Sequence, residues 1–264
     1  MWDALNNFDR DRFSGSNFLS FDPPLSDAAI DWWRDHIYAP HGLYPDDLGE
    51  LLSASATGDK TITIADLDPR AGSFVVRVKG FPSDSGEAWW TQRKLDLSGP
   101  LFEAQRMLIP SVDRQKGKGR MLMADLIDTA GRMGINTITI EAQDIGRYAW
   151  ARFGFVPDRT AWMRNVRTEA GRRLKMAAAE ISPASMRSYR EVLDGEQPKL
   201  IREVASWRDP VNSIVNFNKD TGLPEKVPLG QALLLETQEQ WYGTFELDDP
   251  ETMEIFRKYV GREQ

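Results

Sequence analysis

The sequence predicts an α/β protein built on a mixed sheet, and three observations support this. Strand-like runs separated by turn residues fill much of residues 61–109. Residues 101–155 then read strand, glycine-rich loop, helix, strand, helix. That order makes a crossover unit, which sets its two strands parallel and adjacent. A further strand-like run at 240–247 follows a mainly helical stretch and returns the chain to the sheet.

In chain order, residues 1–25 read as an irregular arm, with Trp2, Phe8, Phe13, Phe18 and Phe21 among polar residues and a stop at Pro23-Pro24. Ser26 is an N-cap for a helix to about residue 38. A short helix is expected at 46–54. Strands are expected at 61–67, 73–79, 88–97 and 101–109. The turn signal Ser98-Gly99-Pro100 pairs the last two as antiparallel neighbours. The apolar spacing of Met121, Leu122, Ala124, Leu126, Ile127 and Ala130 predicts a helix over 120–133, which Gly134 ends. Residues 136–142 alternate as a strand, with Ile138, Ile140 and Ala142 on one face. A short helix over 146–153 is closed by Gly154. Helices are then expected at 161–179, 183–193 and 199–207, followed by a Pro/Gly/Asn-rich run at 209–230. Asp249-Pro250 starts a last helix to about residue 260. The expected organisation is an arm at 1–25, a core at 26–157, a mainly helical insertion at 158–235, and a last strand and helix at 236–264 that complete the core.

Composition narrows the function. The chain has 264 residues, 41% of them hydrophobic and 28% charged, which describes a soluble globular protein. No run approaches the ~20 apolar residues of a membrane span. The first nine residues hold acids and asparagines instead of a basic then apolar run, so no secretory signal is read and a cytoplasmic setting is expected. The absence of cysteine excludes disulfides, thiolate catalysis and cysteine-ligated zinc. The two histidines, His36 and His41, are too few for a histidine-rich metal site, and no metal is expected. A net charge of −7 argues against nucleic acid or an anionic membrane as partner.

One segment departs from that acidic balance. Arg114-Gln115-Lys116-Gly117-Lys118-Gly119-Arg120 lies directly after a strand and directly before a helix. The first turn of a helix has N–H groups without internal partners, at the positive end of its dipole. Glycines let the backbone close on a phosphate, and flanking Arg and Lys neutralise it. On charge alone the run is equally a solvated loop; the glycines favour an anion cradle. The segment lacks the Gly-Lys-Ser/Thr ending of a Walker A loop, and its glycine spacing is not that of a dinucleotide-binding fingerprint.

Arg-x-x-Gly-x-Gly between a strand and a helix resembles the cofactor loop of the Gcn5-related N-acetyltransferase (GNAT) superfamily. The run Gly146-Arg-Tyr-Ala-Trp-Ala-Arg-Phe-Gly-Phe-Val-Pro157 is similar to that family's following helix. The resemblance covers about residues 100–157. It implies a GNAT-like acyl-CoA N-acyltransferase fold in which Arg114–Arg120 hold the pyrophosphate of acetyl-CoA. By the same resemblance, the backbone of Met107, Leu108 and Ile109 pairs with the pantetheine arm, and Gln143 stands where the family often has an asparagine contacting that arm. Glu103, eleven residues before Arg114, matches the general base of histone-modifying members, with Glu141 and Asp144 as weaker alternatives. Read by itself, Glu103 is equally an ion-paired surface residue. If its strand is regular, it shares a face with Gln105 and Met107. Trp150 occupies the position of the family's tyrosine acid and cannot donate a phenolic proton, which leaves Tyr148 as the nearby candidate; Trp150 is then expected to pack near the thiol end of the cofactor. Trp32, Trp33, Trp89 and Trp90 are candidates for an acceptor groove.

The expected activity is direct acetyl transfer to an amine, with the acceptor, a small molecule or a protein, left open. Two alternatives stand beside it. One is an inactive protein of the same fold that binds or scaffolds, which Trp150 at the acid position favours; separately, residues 148–155 and the later Trp241-Tyr242-Gly243-x-Phe245-x-Leu247 strand resemble acyltransferase-like domains of phage and bacterial toxin proteins. The other is a nucleotide-binding protein using the same cradle.

Overall fold

The computed structural model describes residues 7–81, 87–110, 116–218, 220–236 and 240–261. The chain divides into two compact units, Met1–Thr139 and Ile140–Gln264.

In the first unit the strands run in the order β1 (Leu19–Asp22), β2 (Lys60–Asp68), β3 (Ser73–Gly80), β4 (Trp89–Asp96), β5 (Leu101–Leu108) and the start of β6 (Thr137–Ala142). β2 to β5 pair antiparallel in chain order, whereas β1 on β2 and β6 on β5 are parallel. The period-2 pattern is cleanest in β4. Trp89, Thr91, Arg93 and Leu95 are buried; Trp90, Gln92, Lys94 and Asp96 are half-buried. The core face collects Ile62, Ile64, Phe74, Val76, Val78, Phe102 and Ile138. Helix α1 (Asp27–Trp33) is capped by Ser26, whose hydroxyl accepts from the Ala29 amide at 3.2 Å, and it continues through a wide turn at Arg34–Tyr38. Its Trp33 ring packs on Phe74 at 4.9 Å between centroids. Helix α2 (Pro45–Leu51) lies on β2 so closely that a Cβ on Gly49 would meet the Ile62 side chain at 2.6 Å. Helix α3 (Lys118–Arg132) is the β5–β6 crossover and buries Leu122, Met123, Leu126, Ile127 and Ala130.

The second unit takes in the end of β6, then α4 (Gly146–Phe153) and β7 (Val156–Pro157). A short turn of helix at Arg159–Ala161 widens at Trp162–Val166 and continues as α5 (Arg167–Met176). Then come α6 (Pro183–Asp194), α7 (Leu200–Ser206), β8 (Pro210–Phe217), β9 (Pro224–Pro228), α8 (Leu229–Leu235), β10 (Trp241–Glu246) and α9 (Pro250–Val260). β10 pairs antiparallel with β7. Phe155, Trp162, Ile201, Val204, Leu229, Leu233, Phe245 and Phe256 form the core. Gly154, at φ 105°, ends α4 in the left-handed conformation that favours glycine.

Two segments differ from expectation. The arm contains β1, a strand of only four residues whose alternation is too short to register. The Pro/Gly/Asn-rich run at 209–230, to which the sequence assigns no element, forms the β8–β9 hairpin and the start of α8. Its prolines sit at strand ends, where no ladder N–H is needed, so they punctuate without forbidding strand.

Packing of α8 on α7 yields one prediction. A Cβ on Gly230 would lie 2.2 Å from the Val204 carbonyl oxygen and 3.0 Å from Ala205 backbone, and backbone cannot rotate aside. Gly230→Ala is expected to destabilise by about 2 kcal/mol, as overpacking does. Gly171→Ala, inside α5 with nothing within 4 Å, is expected to stabilise by about 0.8 kcal/mol through helix propensity. Urea midpoints of the two variants should move in opposite directions.

Candidate functional site

The expected anion cradle falls partly within the described residues; Arg114 and Gln115 lie outside them. Gly117 is the N-cap of α3 at φ 83°, ψ 0°, and its carbonyl accepts the first helical bond from the Met121 amide at 3.0 Å. Lys116 and Arg120 are exposed, and Gly117, Lys118 and Gly119 are half-buried, so the bend is open to solvent. A Cβ on Gly117 would stand 3.6 Å from Arg120 Nη2, which sets a guanidinium beside the turn. A Cβ on Gly119 would stand 3.5 Å from Met107 Sδ and 3.9 Å from Ile109 Cγ1, so the start of α3 lies against the end of β5.

β5 is irregular where it matters. Gln92 faces Arg106 and Lys94 faces Glu103, so the single residue Arg93 on β4 faces two on β5, Ala104 and Gln105. This β-bulge changes which face the following residues occupy. Glu103 lies on the half-exposed face with Lys94. Met107 is opposite buried Thr91 and therefore on the core face. The expectation that Glu103, Gln105 and Met107 share a face is corrected: Glu103 and Gln105 do, and Met107 does not. The parallel pairing of β5 with β6 covers Leu101–Glu103 against Thr137–Thr139, while β5 itself runs on to Leu108.

Arg93, which the sequence did not single out, anchors the bulge. It is 1% exposed. Its Nη1 donates to the Arg106 carbonyl at 3.1 Å and to that of Gln92 at 3.4 Å, while Nη2 has no partner. Burial pushes its pKa down to about 10. The Arg106 carbonyl lies just past the bulge, so a buried cation takes over part of the hydrogen bonding that the disrupted ladder gives up.

Glu103 is half-buried and accepts from Gln105 Nε2 at 3.4 Å. In the second unit Gln143 is exposed, and its carbonyl accepts from the Gly146 amide at 2.8 Å. Asp144 takes a positive φ of 44°. Tyr148 on α4 and Glu141 on β6 are half-buried. Trp150 is 8% exposed and packs on Phe155 at 5.3 Å and Phe153 at 5.7 Å. Its indole crowds Gly146, where a Cβ would lie 2.8 Å from Nε1.

The four-tryptophan acceptor groove does not form. Trp33 and Trp89 are fully buried in the core, and Trp32 is buried and stacked on His36 at 5.0 Å; Trp90 alone is half-exposed. Strand alternation in β4 sends adjacent Trp89 and Trp90 to opposite faces. The first unit also holds a cavity of about 640 Å³ lined by residues of the arm, α2 and β2, among them Arg12, Asp46, Glu50 and Lys60. These charges are mutually paired, Arg12 with Asp46 and Asp47, and Lys60 with Glu50 at 2.8 Å. Among the described residues no helix is long and apolar enough to cross a membrane.

No protein-family model matches the chain, and no curated protein matches it. Among solved structures it is similar to nourseothricin acetyltransferase, at 18% identity and a TM-score of 0.28. The match covers 38% of this chain and spans 61% of that one. A likeness this distant decides nothing about substrate or activity.

Proposed function

We propose that the chain is an acetyl-CoA-dependent N-acetyltransferase of the Gcn5-related kind, passing an acetyl group directly to an amine. The observation that supports it most is the open, glycine-capped start of α3, with exposed Lys116 and Arg120 beside a left-handed Gly117. In this reading Lys116–Arg120, together with Arg114 and Gln115, hold the pyrophosphate through amides and charge. The end of β5 and the residue after it, Met107, Leu108 and Ile109, past the pairing of Leu101–Glu103 with β6, receive the pantetheine arm. Acetyl-CoA supplies an acetyl group activated as a thioester. Glu103 takes a proton from the amine; the N–C bond forms as the C–S bond breaks, and the thiolate is protonated from solvent. The assignments of Gln143, Tyr148 and Trp150 belong to the second unit and rest on the motif resemblance alone. The same reading treats 26–157 with 236–264 as the transferase core and 158–235 as an insertion.

Calorimetry tests the reading: CoA and acetyl-CoA bind, and ATP does not. Glu103→Gln is expected to leave that binding intact and to lower kcat about 100-fold, in the range of a lost general base. Free thiol appearing with acetyl-CoA and a panel of amines, and a mass gain of one acetyl group on the acceptor, are the readouts. Turnover of Glu103→Gln at the normal rate would remove Glu103 from the reaction. A second reading, a CoA-binding protein without transferase activity, is favoured by Trp150, a buried core ring at the position of the family's acid. Binding without thiol release across the panel would support it.

A further inference from the structure

On the half-exposed face of β3, β4 and β5 a chain of side-chain hydrogen bonds ends on Glu103. Arg77 Nε donates to Gln92 Oε1 at 3.1 Å. Gln92 Nε2 donates to Gln105 Oε1 at 2.8 Å. Gln105 Nε2 donates to Glu103 Oε2 at 3.4 Å. The two ends fix the direction. A guanidinium only donates and an ionised carboxylate only accepts, so each amide must turn its oxygen towards Arg77 and its nitrogen towards Glu103. Flipping either glutamine would set donor against donor or acceptor against acceptor.

The far end is anchored as well. Arg77 lies 3.5 Å from Asp22 Oδ2 and 3.6 Å from Asp66 Oδ2, on β1 and β2. Five neighbouring strands therefore contribute to the orientation of one carboxylate. Gln92 stands directly opposite Arg106, yet Gln105, within the bulge, keeps hydrogen-bond reach to both Gln92 and Glu103.

A glutamate on an open sheet face has several rotamers, and a base acts only when its oxygen is held near the proton it takes. We infer that Gln105, backed by Gln92 and Arg77, is a positioning residue: it holds Glu103 by Oε2 and leaves Oε1 directed to the amine. The inference rests on the reading of Glu103 as base. The proton passes from the amine nitrogen to Oε1 and afterwards to water, so no further reactant is needed. The long last bond suits a chain that tightens when an amine draws Oε1 forward, as catalytic hydrogen bonds often do on binding. Amide chains polarise along their length, so removing a distant member weakens the last bond.

The experiment uses the full chain, acetyl-CoA and propylamine, with thiol release as readout. Gln105→Leu is expected to lower kcat about tenfold and Gln92→Leu about threefold, with the acetyl-CoA dissociation constant unchanged in both. In a Glu103→Gln background, Gln105→Leu should cost nothing further, because the two act as one unit. Wild-type kcat in Gln105→Leu, or costs that multiply in the double variant, would overturn the inference. If wild-type protein neither binds acetyl-CoA nor releases thiol, the transferase reading fails separately, and side-chain amide NMR of glutamine-labelled protein decides the chain. Glu103→Leu should then shift the amide pairs of both Gln105 and Gln92. A Gln92 pair that stays in place would show that no coupled chain reaches Glu103.

Discussion

Glutamate in place of Gly117 is expected to abolish binding of coenzyme A, weakening it at least 100-fold, which is about 2.7 kcal/mol. Two effects combine. The residue holds φ 83° at the N-cap of α3, and a side chain in that left-handed region costs roughly 1–2 kcal/mol. The new carboxylate would also stand where the pyrophosphate is proposed to lie, and it would pair with the Arg120 guanidinium, which is 3.6 Å from the Cβ position. Gly117→Ala separates the two effects. It introduces the strain without the charge, and should lose about 1 kcal/mol of stability while binding coenzyme A within tenfold of wild type. Calorimetry at two salt concentrations checks the electrostatic part, because screening should recover some affinity in the glutamate variant and none in the alanine one. A Gly117→Glu protein that binds as tightly as wild type would move the pyrophosphate away from this loop altogether.

Why the loop was legible and its surroundings were not follows from what each feature depends on. Gly117 and the cations announce a helix start locally, in a few adjacent residues. The strands of the first unit announce themselves by alternation, and α4 by its apolar residues and Gly154, so their ends agree with expectation to within one or two residues. Helix α3 begins at Lys118, two residues before the expected start at 120, because Gly117 and not the first apolar residue sets the start. The bulge at Ala104 and Gln105 is different in kind. Nothing in Glu103-Ala-Gln-Arg-Met107 marks it, because a bulge is a mismatch between two strands and exists only once register is set. The same holds for Arg93 and for the glutamine chain, whose cross-strand partners stand thirteen to fifteen positions apart in sequence. Trp89 and Trp90 show the converse error. Their adjacency suggested a common surface, although a strand sends neighbours to opposite sides.

The largest stability effect is expected in the second unit, at Arg173. Its Nε donates to Glu236 Oε2 at 2.6 Å, and both side chains are 2% exposed. Oε1 of the same carboxylate accepts from the Ser213 hydroxyl at 2.5 Å and the Ile214 amide at 3.1 Å. Arg173 Nη2 donates to the Asn212 carbonyl at 2.5 Å. Arg173→Ala removes the only cation in this group and leaves a carboxylate buried on neutral donors, which costs about 3–5 kcal/mol. Pairing the loss with Glu236→Leu should recover part of it, since the stranded charge then goes too. Urea midpoints of the singles and the double measure this, and an Arg173→Ala protein within 1 kcal/mol of wild type would contradict it. The damage should also be local before it is global. Between the pairs Asn212↔Lys226 and Phe217↔Pro224 the β8 ladder is irregular, and Ser213 accepts from the Val215 and Asn216 amides in place of strand partners. One carboxylate thus holds the hydroxyl that holds the bulged backbone. Amide exchange at Ile214, Val215 and Asn216 should accelerate in Arg173→Ala under conditions where the core helices remain protected.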